Sequence, residues 1–309
     1  MRIITTGLAA LLLAGCGDKE TTTADDTGTE TTEDRFSEFV YVTDAASGDF
    51  TGFESGYTDA WLPQAVDSAK QVTVSMTGDV EDFESGDEVK DATVEIFHNN
   101  DPTGTPDQTL LSDDSGEITG GEWPVCTPVA YSTFTDPDLN DTKVTFQVNE
   151  VYGYSEEKKG GGASAVNVQL NSVSSSTYQV IPSLLGVSPD TDKGIVAGTV
   201  YDVNGDPVEG AQVVAVDSSG NIPDTLVVKY FVDDFPNRDQ EWTSADGLFV
   251  MVNVPTGDWS LEAYISDGAG GHLLMGATNV NVIADSINIS SVYIGYGDGI
   301  SYPSSCLTK

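Results

Sequence analysis

Basic residues are scarce in this chain: 12 Lys and Arg stand against 50 Asp and Glu in 309 residues, a formal net charge of −38. Such a field repels phosphate backbones and excludes nucleic acid as a partner. Anionic lipid headgroups are repelled as well. The acids are spread along the whole chain, so the charge reads first as a solvated surface and only second as a lure for cations or basic partners. Histidine is nearly absent too. His98 and His272 are the only two, one in each half, too few for a zinc site or a histidine-activated nucleophile. No nucleophile elbow or phosphate loop occurs. Carboxylate pairs abound, but 50 acids guarantee chance pairs. The expectation is a protein that is not an enzyme.

Long apolar runs are missing except for one at the start. Arg2 supplies a short positive region, residues 3–13 a mostly apolar run, and Ala14 and Gly15 two small residues. These are the parts of an export signal, too short to remain as a membrane span. The residues Leu13-Ala14-Gly15-Cys16 resemble the lipobox of bacterial lipoproteins. The resemblance implies cleavage before Cys16, acyl chains on that cysteine, and a stable anchor, since each buried methylene adds roughly 0.8 kcal/mol. Gly17, rather than Asp, follows the cysteine, which points to the outer membrane or cell surface over the inner membrane.

Helix formers are sparse beside Thr, Val, Ser, Gly and Tyr, which favours strands and turns. Residues 17–34 hold seven Thr, seven Asp or Glu and one weakly apolar residue, Ala24. With nothing to bury, they read as a disordered tether. An aromatic stretch over 36–66 is expected to pack along a first module as an irregular arm. Alternation at Val72, Val74 and Met76, at Ala92, Val94 and Ile96, at Val144, Phe146 and Val148, and at Val166, Val168 and Leu170 marks half-buried antiparallel strands. Residues 155–165, with Lys158-Lys159 and three glycines, read as an exposed loop. Residues 177–187 suit a short helix ending near Gly186. Strands then follow at 195–200, 211–216, 225–232, 248–254, 259–265, 272–282 and 287–294. The division is a signal at 1–16, a tether at 17–34, a first β-sandwich with its arm at 35–173, a linker with a short helix at 174–192, and a second sandwich with a tail at 193–309. The fold class is all-β, two tandem antiparallel β-sandwiches.

The halves repeat. Val89-Lys90-Asp91-Ala92-Thr93-Val94-Glu95-Ile96 lines up with Val208-Glu209-Gly210-Ala211-Gln212-Val213-Val214-Ala215, and Gly86-Asp87 with Gly205-Asp206. Ser112-Asp113-Asp114-Ser115-Gly116 lines up with Ser244-Ala245-Asp246-Gly247. In the second copy, Gly198-Thr199-Val200-Tyr201-Asp202, Gly205-Asp206-Pro207-Val208-Glu209-Gly210-Ala211-Gln212-Val213, Thr243-Ser244-Ala245-Asp246-Gly247-Leu248-Phe249 and Val254-Pro255-Thr256-Gly257-Asp258-Trp259 resemble the carboxypeptidase regulatory-like domain, a transthyretin-like sandwich. The resemblance covers roughly residues 194–294 and implies a module that is not itself catalytic. The first copy lacks the Pro after Gly86-Asp87. Asn204-Gly205 offers positive φ for a tight turn, and Phe249 and Trp259 are candidate core aromatics.

Two other constellations stand out. Asp136, Asp138 and Asn140, and Asp202, Asn204 and Asp206, place oxygens at alternate positions as calcium loops do. Each lacks a glutamate at the twelfth position, and Asp and Asn also favour plain turns. If Cys16 is lipidated, Cys126 and Cys306 remain as a candidate disulfide in an oxidising compartment. The functional expectation is a membrane-tethered binding or structural module with a protein or glycan partner at the cell surface. The alternatives are a glycan-binding adhesin or an accessory subunit of a surface peptidase or glycosidase.

Overall fold

The computed structural model describes residues 46–52, 56, 61–136, 138, 141–154, 165–233, 235–269 and 271–309. Cys16, the tether and the loop at 155–164 lie outside the described residues. Among those described, no helix is long and apolar enough to cross a membrane.

The first half contributes β1 (Val72–Asp82), β2 (Thr93–Phe97), β3 (Gln108–Leu111), β4 (Glu117–Val125), β5 (Val129–Phe134), β6 (Thr142–Lys143), β7 (Thr145–Glu150) and β8 (Ala165–Ser174). One sheet runs β4-β1-β8-β6, and the strands β7-β5-β2-β3 face it. Alternation sends Met76 and Val80 of β1, Val168 and Leu170 of β8, and Val94 and Ile96 of β2 into one core around Trp123 and Tyr131. Burying each such side chain contributes roughly 1.5–3 kcal/mol.

The second half follows α1 (Ser175–Leu185) with β9 (Lys193–Tyr201), β10 (Gln212–Val216), β11 (Val227–Val232), β12 (Phe235–Asn237), β13 (Leu248–Pro255), β14 (Gly257–Ser266), β15 (His272–Val282), β16 (Ile287–Ile289) and β17 (Val292–Tyr293). Here β12-β11-β13-β9-β16, with β17 also on β9, faces β10-β14-β15. Val196, Phe249 and Met251 meet Val213, Leu261 and Met275 between the layers.

The two copies match bond by bond. Val89 N donates to Val80 O as Val208 N does to Val200 O, and Val80 N to Gly116 O as Val200 N does to Gly247 O. The Ser112 hydroxyl accepts from Ala92 N and donates to Val89 O; the Thr243 hydroxyl accepts from Ala211 N and donates to Val208 O. The missing proline in the first copy therefore leaves the topology intact. Of the pair Asn204-Gly205, only Gly205 takes positive φ, at 86°.

Three differences from the sequence reading have physical causes. First, the sheets are mixed, because each half closes by bringing a late strand back parallel to its first, β8 to β1 and β16 to β9. Second, β3, β4 and β5 carry no alternation signal. β4 holds Gly120, Gly121 and Pro124, and β1 shifts register opposite it between Met76 and Thr77. β5 is buried on both faces, Tyr131 to one core and Ala130 to the other. Third, the described part of the arm lies on the second half rather than the first. Ser47 N donates to Glu209 O and Leu62 N to Gly295 O, while Phe50, Trp61 and Leu62 pack on the second core.

The halves join edge to edge. β16 pairs in parallel with β7 on one side and β9 on the other, so strands of both halves form one ten-stranded sheet. Helix α1 covers this seam. Ser174 caps its start by accepting from Thr177 N, and Gly186 ends it at φ 74°. Its Leu185, Tyr178 and Ile181 pack on Ile195, Val250 and Ile287. Lys143 ties the first half to the second through Asp285, at 2.6 Å, and lies 4.5 Å over the Tyr178 ring.

Candidate binding cleft

Between α1, β8 and the seam of the long sheet lies a cavity of about 400 Å³. Its apolar wall comes from Ile195, Leu248, Val250 and Ile287, and its polar end from Gln147, Glu150 and Asn171. Strand alternation explains the division. Gln147 points from β7 to the face opposite Val148, and Ile195 from β9 opposite Val196.

The polar end is wired to one orientation. Asn171 N donates to the Tyr131 hydroxyl at 2.9 Å, and that hydroxyl donates to Gln147 Oε1 at 2.6 Å. Asn171 Nδ2 donates to the same oxygen at 2.8 Å. With Oε1 taken by two donors, Gln147 turns its Nε2 to Glu150 Oε1 and donates to it. Burial pushes the Glu150 carboxyl above its ordinary range, and the Gln147 amide pulls it partly back. Burial also raises the Tyr131, Tyr152 and Tyr293 hydroxyls, and the Glu150 charge raises each further.

Aromatic rings complete the wall. Tyr201 and Tyr293 stack at 5.0 Å with planes 23° apart. Trp123 meets Tyr152 edge-on at 5.3 Å. Phe83, 44% exposed, stands at the cleft's margin. Among the described lining residues Glu150 is the only carboxylate, and no Lys, Arg or His is present. A single carboxyl bonded to an amide is not the acid–base pair that glycoside or peptide hydrolysis needs. None of Gln147, Glu150, Tyr152 and Tyr293 carries a motif, and Tyr201 stands in one only as part of a strand; their grouping is legible only once the seam is built.

The residues singled out in the sequence lie elsewhere. Asp202 is 2% exposed, and its Oδ1 accepts from Asn204 N at 2.8 Å and Asp206 N at 2.9 Å. Its Oδ2 accepts from Asp49 N at 2.7 Å. The Oδ1 bonds are those of an Asx turn. The repeat supports this, since Asp82 Oδ1 likewise accepts from Glu84 N and Ser85 N. Asp136 Oδ1 accepts from Asp138 N at 2.9 Å, and Asn140 lies outside the described residues. Among the described residues no three His, Cys, Asp or Glu side chains are grouped to hold a metal. His98 lies near Gln108 and the Glu122 carbonyl, and His272 near Gln212. Cys126 and Cys306 are joined as a disulfide with α-carbons 5.3 Å apart, pinning the C-terminal tail to the first half.

No family model matches this chain, and no curated protein matches it. Among solved structures, the Bacillus anthracis TIE protein aligns at 11% identity over 73% of this chain and 34% of its own, about a third of its length, with a TM-score of 0.24. BcpA, the major pilin subunit of Bacillus cereus, aligns at 10% identity over 73% of this chain and 100% of its own, with a TM-score of 0.24. Catechol 1,2-dioxygenase from Acinetobacter sp. ADP1 aligns at 15% identity over 38% of this chain and 62% of its own, with a TM-score of 0.23. A pilin and an enzyme score alike at this level, and neither alignment carries an inference about function.

Proposed function

We propose that this chain is a non-catalytic lipoprotein of the bacterial cell envelope, anchored through Cys16 and held off the membrane by residues 17–34, whose body binds a small ligand in the cleft at its seam. The observation that carries the reading is the cleft: aromatic rings and oriented amides around one carboxylate, with no base or nucleophile pair among the described lining residues. The anchor is supported by the order of residues 13–16 and by the composition of 17–34. The rings of Tyr201 and Tyr293 also keep the glycan-binding alternative open, since sugars stack on aromatic faces. Cell fractionation tests the anchor. Cys16→Ser is expected to move the protein from the membrane to the soluble fraction; unchanged membrane association would contradict it.

A further inference from the structure

We propose that the cleft binds a small organic cation, an amine or quaternary ammonium group, with Glu150 as counter-ion and the rings of Tyr152, Tyr201 and Tyr293 as walls. The proposal rests on reading the cleft as the contact site and adds the chemistry of its ligand.

The cleft holds an uncompensated charge. Glu150 is partly buried, and among the described lining residues no cationic side chain balances it. Its hydrogen-bond donor is the neutral amide of Gln147, which satisfies one oxygen without cancelling the charge. The elevated affinity of this carboxyl for a proton is the same imbalance seen from the solvent side. A ligand cation would relieve it.

The rings favour the same ligand. Glu150, Tyr152, Tyr201 and Tyr293 all line the cavity, and Tyr293 stacks on Tyr201, so carboxylate and rings share one space. Aromatic faces carry negative quadrupole density, and they attract the charge that a carboxylate attracts. The apolar wall of Ile195, Leu248, Val250 and Ile287 accepts the alkyl part of an amine. A cavity of about 400 Å³ is in the range that holds a small molecule. The net charge of −38 concentrates cations at the surface and repels anions.

A sugar fits less well. Recognition of hydroxyls is helped by unspent amides and neutral hydroxyls, whereas Gln147 and the Tyr131 hydroxyl behind it are bonded to one another, to Asn171 and to Glu150.

The test is calorimetric titration of the full chain with choline and with its neutral isostere, in which carbon replaces the nitrogen. Choline is expected to bind at least about tenfold more tightly, and Glu150→Gln to remove that preference. Tyr293→Leu is expected to weaken choline about five- to tenfold. Thermal melts check that each variant folds; if one does not, the ratio between the two probes on the unaltered chain decides. Equal binding of the two probes would overturn the cation while leaving the cleft as a contact site. Binding of neither probe, or a choline preference that survives in folded Glu150→Gln, would overturn the proposal itself.

Discussion

Gln147 sets the polarity of the cleft. Its oxygen is held by Tyr131 and Asn171, which leaves its nitrogen to face Glu150. Glu150 thus keeps one good partner and still carries a charge in a poorly hydrated place. The consequence for stability has a definite sign. A carboxyl whose pKa is raised by folding binds its proton more tightly in the folded state, so stability falls as pH rises from the usual glutamate range through the elevated value. Glu150→Gln, which keeps an acceptor for the Gln147 amide, is therefore expected to raise stability at neutral pH. It should give no gain at pH values below the ordinary glutamate range. Urea melts of both proteins at the two pH values check this; a loss of stability at neutral pH would contradict it. Nothing in the sequence around residue 150 announces this role. Asp202 is the opposite case, since its spacing with Asn204 and Asp206 stood out in the sequence and its turn follows from Asx chemistry, as does that of Asp82 in the first copy.

At the scale of elements, β9 holds the second half together. It is buried on both faces, pairs with β13, β16 and β17, and passes so close to the chain at Ser290 that Gly198 has no room for a side chain. A Cβ at Gly198 would lie 2.1 Å from the Ser290 carbonyl oxygen, a backbone atom that cannot step aside. Gly198→Ala is expected to cost at least about 1–3 kcal/mol in chemical denaturation; a neutral effect would mean that the β9–β17 segment is placed differently. The period-two patterns of β1, β2, β8 and β15 were legible because each of these strands shows one face to a core and the other to less buried surroundings. The pattern fails at β5, where both faces are buried, and at β4, where glycines and a proline dilute it. The helix was legible from its C-terminal Gly186 and from the break in alternation. The parallel returns of β8 and β16 had no signal, because hydrophobic period does not encode strand direction.

At the scale of the molecule, the repeat predicts two sandwiches and says nothing about how they join. The join is made by backbone pairing of β7 with β16, by Phe97, Ala130 and Val148 of the first half entering the second core, and by the Cys126–Cys306 bond. The described residues of the two halves form one compact unit. The cleft exists only because of that union, since its walls come from both halves and from the helix between them. Its integrity therefore requires that the halves fold and unfold together. Differential scanning calorimetry of the oxidised protein tests this most directly. One endotherm with equal calorimetric and van't Hoff enthalpies is expected. Two separate endotherms, each assignable to one half, would contradict it.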